Sequence, residues 1–341
     1  MAGRGLAAAF ATAVFLNGAA MAEVTTDLLS FDDLSGWADD DHDAALGVFL
    51  NTCMDLRDPE WAPLCALATS QTNARTFFEL FFRPVLIHDD NPGLFTGYFE
   101  PELDGSRTRT ARFRYPLYRQ PPEVTGLWHT RAEIEEQQLL ADRGLEIVWV
   151  DDPVEVFFLQ IQGSGRVRLA EGGYLRVGYG GRNGHNYRSI GQELVRRGVY
   201  EPHQVSAQVI QSWVRRNPVE GVELLRHNAS YVFFREVRIS DPMAGPLGAM
   251  NRSITPLRSI AADPDYVPLG APVWIEKGGA EPMHRLMIAQ DTGSAIQGPQ
   301  RADIFFGLGD AAGRAAGLIR DPGRIVVLLP IELAFQFEAD S

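Results

Sequence analysis

Two aspartates near the C-terminal end of the chain carry the strongest chemical signal. Asp291 opens the tetrapeptide Asp291-Thr292-Gly293-Ser294, directly after the apolar run Leu286-Met287-Ile288-Ala289. Asp303 stands twelve residues later, in Arg301-Ala302-Asp303-Ile304-Phe305-Phe306-Gly307. A carboxyl beside Ile304, Phe305 and Phe306 is poorly solvated, and desolvation raises its pKa. A carboxyl that keeps its proton near neutral pH meets the requirement for a general acid acting on a glycosidic oxygen. The plainer alternative is that Asp303 caps a turn or pairs with Arg301, and spacing alone does not choose between them. Gly293, Gly298 and Pro299 lie between the two acids, so a turn or loop links them and can bring both to one groove.

Other chemistries find less support. Asp291-Thr292-Gly293 also looks like the loop of an aspartic protease, but that chemistry needs two such carboxylates sharing a proton, and no second Asp-Thr-Gly or Asp-Ser-Gly occurs. Gln162-Gly163-Ser164-Gly165 lacks the G-x-S-x-G spacing of a nucleophile elbow. The seven histidines show no H-E-x-x-H pattern, so no catalytic metal is expected and no cofactor is implied. The loop Gly178-Tyr179-Gly180-Gly181-Arg182-Asn183-Gly184-His185-Asn186-Tyr187-Arg188 is not a phosphate cradle, because Asn183 stands where a third glycine belongs. Its density of hydrogen-bonding side chains suits a ligand surface better than a plain solvent turn.

These residues must be carried by a β-rich scaffold. Residues 94–99, 146–150, 154–161, 231–237, 272–276, 285–290, 304–306 and 324–329 are β-branched or aromatic and read as strands, and 166–170 sits in a hairpin between glycine turns. Helices are expected over 131–140, where Thr130 and Glu133 form a capping box, and over 190–197, 207–215 and 219–227. A short helix over 311–318 is expected to be capped by Asp310. Residues 23–90 read as helical, with Asp41 capping a helix that carries Ala45, Leu46, Phe49 and Leu50, and a second helix over 74–82.

The length of 341 residues suits two domains, and 45% apolar against 22% charged residues is ordinary for a globular protein. The net charge of −13 makes duplex nucleic acid a poor partner. Residues 1–22 read as a secretory signal peptide: Arg4, an apolar stretch over 6–16, then Ala20-Met21-Ala22 as the cleavage site. No run reaches transmembrane length. Cys53 and Cys65, the only cysteines, suggest one disulfide in an oxidising compartment, with two buried free thiols as the alternative.

Several segments together resemble the membrane-bound lytic transglycosylase A family of peptidoglycan-cleaving enzymes. They are Thr96-Gly97-Tyr98-Phe99-Glu100-Pro101, Tyr115-Pro116-Leu117-Tyr118-Arg119, Gln162-Gly163-Ser164-Gly165, the stretch 181–191, Asn228-Ala229-Ser230-Tyr231-Val232-Phe233-Phe234, and the stretch from Arg285 through Asp303. The last opens a three-aspartate signature, represented here by Asp291, Asp303 and, beyond that stretch, Asp310.

The resemblance implies a mainly β fold: a double-psi β-barrel with an inserted smaller β-barrel domain and peripheral helices. On that mapping 94–103 and 240–341 form the catalytic barrel, 104–239 form the insert, 23–93 lead into the barrel, and a groove between the barrels holds a glycan strand. The resemblance also implies that Asp303 is the single catalytic acid, then base, with Asp291 supporting it. Thr96, Tyr98, Gln162, Ser164, Asn183 and Arg188 would be sugar contacts. The reaction would cut between N-acetylmuramic acid and N-acetylglucosamine without water, in murein turnover and cell wall organization. Expected partners are the glycan strand and unspecified cell-wall synthesis or division proteins. No cysteine follows the apolar N-terminal stretch, so no lipobox is present, and the expectation is a soluble periplasmic enzyme, peripheral to the outer membrane. A non-catalytic wall-binding protein on the same fold is the alternative, since fold does not fix function. The response of glycan cleavage to Asp303→Asn separates the two.

Overall fold

The computed structural model describes residues 24–56, 58–239, 241 and 244–339. The expected leader over 1–22 lies outside the described residues. The strands are β1 (Thr25–Leu28), β2 (Phe82–His88), β3 (Leu94–Glu100), β4 (Glu102–Ser106), β5 (Tyr115–Tyr118), β6 (Glu146–Val150) and β7 (Gly165–Leu169). They continue as β8 (Tyr174–Arg182), β9 (Val232–Val237), β10 (Ser259–Ala262), β11 (Pro272–Lys277), β12 (Met283–Asp291), β13 (Arg301–Leu308) and β14 (Arg320–Pro330). The helices are α1 (His42–Cys53), α2 (Ala62–Ala68), α3 (Ala74–Phe81), α4 (Arg131–Glu136) and α5 (Pro153–Gln162). After them come α6 (Ile190–Arg196), α7 (Ala207–Arg216), α8 (Pro218–His227), α9 (Gly309–Ala316) and α10 (Ile331–Ala339).

The strands sort into two sheets. The first runs β1-β2-β14-β11-β12-β10-β13-β3, and β14 pairs with β3 as well. The long strand β14 does both jobs at different ends: Val327 faces Val273 of β11, while Arg320 faces Thr96 of β3. Six strands thereby close into a barrel, with β1 and β2 appended outside the ring. A closed ring leaves no unpaired strand edge. The second sheet runs β5-β6-β4-β7-β8-β9, and β5 lies against β9, so this ring is nearly closed.

Each sheet has its own core. In the first, Trp274, Phe49, Phe77, Phe78, Phe82 and Phe95 are fully buried. Phe49 of α1 meets Phe77, Phe78 and Phe82 at ring separations of 6.1–6.3 Å, so α1 and α3 seal one side of the barrel. Asp41 caps α1 by accepting from Ala44 N, and Cys53 is bonded to Cys65 of α2 with Cα atoms 5.5 Å apart. The second core is smaller, with Val148, Val150, Val167, Leu175, Val177 and Phe234. Helices α5 to α8 form a cluster of their own through Phe157, Leu194, Val214 and Leu224, and Leu159 of α5 joins the core of the sheet.

The chain passes between the sheets at Pro101, between β3 and β4. Glu100 is buried there and paired with Arg176 of β8 at 3.0 Å, and Arg176 also donates to Ala244 O at 2.6 Å on the returning segment. Both connections are therefore tied at one point.

Three expectations need correction. Residues 154–161 are not a strand but most of α5. Asp152 caps it through Val154 N, Pro153 occupies the first turn, and Gly163 ends it at φ +77°. The β-branched and aromatic content is that of a buried helix, and the end signals should have outweighed it. Residues 23–93 are not only helical, because they contribute β1 and β2. Asp310 does not cap α9; it lies exposed in the first turn, where the helix dipole favours it. Among the described residues no helix is long and apolar enough to cross a membrane.

Candidate active site

Strand alternation places the reactive side chains. Successive residues of a strand point to opposite faces, so Thr96 and Tyr98 share one face of β3, and Arg301, Asp303 and Phe305 share one face of β13. The two strands run parallel with Asp303 opposite Thr96. The intervening Gly97 faces α9, where an added Cβ would stand 2.7 Å from Ala316 Cα. Glycine therefore lets the helix lie directly on the back of the strand that carries Thr96 and Tyr98. Asp291 ends β12. Ala261 of β10 pairs with Asp291 on one side and with Asp303 on the other.

Each acid has a hydroxyl partner. Thr96 Oγ1 donates to Asp303 Oδ1 at 2.7 Å, and the Tyr98 hydroxyl donates to Asp291 Oδ2 at 3.0 Å. Asp291 Oδ1 also accepts from Ala249 N and Thr292 N, each at 3.0 Å. Burial pushes both carboxyls up to about 6. Around Asp303 the opposing influences are the charge of Arg301 and the Thr96 hydroxyl; around Asp291 they are the Thr292 amide, Tyr98 and the Ala249 amide. Burial also raises the Tyr98 phenol, and the two carboxylates add to it. Three hydrogen-bond donors favour the ionised form of Asp291, whereas for Asp303 the charge of Arg301 and one hydroxyl do so.

The acids floor a cavity of about 250 Å³ walled by Tyr98, Arg131, Gln160, Tyr187, Asn228, Ser230, Ala261 and Arg301. It opens into a groove of about 880 Å³ between the two barrels. One side of that groove is Gln160–Ser164, Tyr179, Arg182, Val232 and Arg235; the other is Leu247–Ala249, Asp263–Tyr266 and Thr292–Gly298. The C-terminus of α5 thus delivers polar groups to the groove, which explains why Gln160, Gln162 and Ser164 sit close in sequence. Among the described residues no group of three or more His, Cys, Asp or Glu is arranged to hold a metal ion.

The expected sugar contacts divide. Gln162 and Ser164 line the groove, and Gln162 Oε1 accepts from Phe99 N at 3.0 Å. Thr96 and Tyr98 spend their hydroxyls on the two acids. Asn183 is fully buried and belongs to the interior: its amide donates to His129 O and Ala229 O and accepts from Tyr231 N, at 2.8–2.9 Å. Arg188 lines a separate pocket with Leu127, Gly184, His185, Asn186 and Ala229. Within 178–188, Asn183 and His185 thus serve backbone groups of other segments, whereas Tyr179 and Arg182 line the groove and Tyr187 the smaller cavity. Asp310 does not line the groove. The acid facing Asp291 is Asp303 on a plain strand, not a second protease-type loop.

Sequence reasoning missed Arg131 and underweighted Arg301. Arg131 is buried between the rings of Phe157 and Tyr231, with its guanidinium carbon 4.6 and 5.0 Å from their centroids. It donates to Gln160, to Ser230 O and to Asn228 O, so it braces the wall opposite the acids. Read along the chain it was only the first residue of a capped helix.

Comparison with known proteins agrees with this architecture. The sequence model of the family described as the MltA specific insert domain matches residues 94–235, and that described as the 3D domain matches 258–329. The membrane-bound lytic murein transglycosylase A of Escherichia coli (strain K12) is 35% identical over 244 residues, which is 69% of this chain and 65% of that protein. The chain thus spans about two thirds of the length of the curated relative it matches. A crystal structure of membrane-bound lytic murein transglycosylase from Agrobacterium tumefaciens superposes with a TM-score of 0.81 at 32% identity, covering 92% of this chain and 99% of that one. The structure of E. coli MltA with bound chitohexaose superposes with a TM-score of 0.70 at 28% identity, covering 87% and 90%.

Proposed function

The chain belongs to the membrane-bound lytic murein transglycosylase A family, and from that premise we propose that it is a peptidoglycan lytic transglycosylase. It cleaves the β-1,4 bond between N-acetylmuramic acid and N-acetylglucosamine without water and leaves 1,6-anhydromuramoyl ends. The bound oligosaccharide of the E. coli relative supports a glycan as the occupant of the groove.

Asp303 acts first as general acid, giving its proton to the bridging oxygen as the bond to the muramoyl C1 breaks. The resulting carboxylate then takes the proton of the muramoyl C6 hydroxyl, whose oxygen closes on C1. One carboxyl suffices because the nucleophile is tethered and has a high effective molarity. Gln162 and Ser164 contact the glycan.

The difference in how the two acids are hydrogen-bonded carries this reading. A hydrolase needs a second carboxylate free to activate water or attack carbon. Asp291 accepts three hydrogen bonds through its two oxygens and is a poor base for that purpose. It supports Asp303 instead. The test is to digest purified peptidoglycan and weigh the products. Ends lighter by one water than hydrolysed ends are expected; reducing ends that carry that water would make the enzyme a hydrolase.

The finer architecture follows the same reading. The closed barrel is a double-psi barrel built from 94–103 and 240–341, with 104–239 inserted. Its support is the pair of parallel pairings, β10 with β12 and β13 with β3, on either side of the antiparallel β10–β13 pair. A leader over 1–22 and a wall substrate are consistent with export to the periplasm.

A further inference from the structure

A carboxylic acid carries its proton on either oxygen, yet only the one facing the glycan is useful. Around Asp303 that symmetry is broken by a chain of donors running across the β13–β3 pair. Arg301 stands opposite Leu94 and Asp303 opposite Thr96, so the three polar side chains lie together on one face. Arg301 Nη2 donates to Thr96 Oγ1 at 2.8 Å, and Thr96 Oγ1 lies 2.7 Å from Asp303 Oδ1.

A guanidinium only donates, and a hydroxyl has one proton. With Arg301 giving to Thr96, the threonine proton is left for Asp303 Oδ1. Arg301 is also anchored by donating to the carbonyls of Leu94 and Ala302. Among the described residues it makes no direct ion pair, and none donates to Asp303 Oδ2.

We infer that Arg301 is a positioning residue which, through Thr96, reserves Asp303 Oδ1 as an acceptor and so places the acidic proton on Oδ2, the oxygen that is left for the glycan in the cavity Asp303 lines. The catalytic consequence rests on the role of Asp303 proposed above. The proton leaves Oδ2 for the bridging oxygen as the glycosidic bond breaks. Oδ2 then receives the proton of the muramoyl O6 as the new bond to C1 forms, and the acid is restored. While Asp303 is ionised, the Thr96 bond becomes charge-assisted and strengthens, so the relay favours the transition state over the resting acid.

Two readouts test this, one of them independent of turnover. The first follows the Asp303 carboxyl by carbon-13 NMR titration of the full chain, assigned by its disappearance in Asp303→Asn. Both partners favour the ionised form, so Thr96→Val and Arg301→Met should each move the titration to higher pH by at least about half a pH unit. The second readout is kcat on peptidoglycan. Thr96→Val should lower it roughly 10–100-fold, the scale of a lost hydrogen bond to a charged group. Thr96→Ser, which keeps the hydroxyl, should recover about tenfold or more of that loss, and Arg301→Lys should recover part of the loss in Arg301→Met. In the Thr96→Val background, Arg301→Met should cost less than about threefold more, because the relay is already cut.

An unmoved titration in both variants overturns the inference. So does an Arg301→Met loss that is equally large with and without the threonine hydroxyl. If Arg301→Met does not fold, the Thr96→Val and Thr96→Ser pair decides alone. Normal cleavage by Asp303→Asn would overturn the catalytic role of Asp303 while leaving the titration result to judge the relay.

Discussion

Asp291 and Asp303 stand in one row of the closed barrel with only Ala261 between them, paired to each across a neighbouring strand. Two strand spacings separate their Cα atoms, roughly 9–10 Å. The methyl of Ala261 leaves the space between and above them open, and both carboxyls are held near 6 by the same dry setting.

Asp303→Asn should abolish cleavage, by about a thousandfold or more, because an amide cannot cycle a proton through this step. Binding to insoluble peptidoglycan should persist, since the groove walls are untouched. Soluble muropeptide release and co-sedimentation with the wall give the two readings, and lost binding would place Asp303 in glycan adhesion.

On the proposed mechanism the acid form of Asp303 does the work, so kcat/KM should fall about tenfold per pH unit above about 6, the value to which burial raises Asp303. Stability follows the same protons. An aspartate ordinarily titrates at 3.8, and these two stand at about 6 in the fold. Between those values the folded protein holds protons that the unfolded chain releases, so stability falls as pH rises from 3.8 to 6, and the loss is complete above 6. At pH 7.5 Asp291→Asn and Asp303→Asn should each raise stability, on the order of 1–2 kcal/mol after allowance for partial solvent access. Near pH 4 the gain should vanish. Thermal melts at the two pH values decide it.

Ala261→Leu should fill the space between the acids. KM for glycan should rise about tenfold or more while the melting temperature changes little, because the added atoms enter the cavity rather than a packed core. A large drop in melting temperature with KM unchanged would mean that the side chain finds no room in the cavity.

Glu100 and Arg176 bind the two barrels through a buried pair, and burial raises the Glu100 carboxyl to about 7 despite the arginine. Arg176→Met at pH 8 should cost about 3–5 kcal/mol by stranding a charge. Adding Glu100→Gln should return most of it, though not the bond to Ala244 O. Urea unfolding of the single and double variants gives the comparison.

Much of this site was legible along the chain. Burial of Asp303 among Ile304 and Phe305 follows from composition, and the alternation of Thr96 with Tyr98 and of Arg301 with Asp303 sets which side chains share a face. What the sequence did not disclose was register. Nothing local says that Thr96 meets Asp303 or that Arg131 lies against Gln160 and Ser230, because those pairings join distant segments. Asn183 misled for a related reason: a polar side chain in a glycine-rich turn serves the backbone as readily as a ligand. The strand reading of 154–161 failed because a helix buried on one side carries the same apolar residues as a strand, and Asp152, Pro153 and Gly163 held the deciding signal.

The bond between Thr96 and Asp303 spans 207 residues, and that between Tyr98 and Asp291 spans 193. As the chain emerges from synthesis, Thr96 and Tyr98 wait while the whole inserted sheet is made. Hairpins such as β7–β8 close in microseconds, whereas contacts of such long range form late. A chain stopped before Arg301 holds neither the acid nor the strand that aims it. The connectivity thus sets an order: on the proposed mechanism the chain has no catalytic acid until its final strands are made and close the ring.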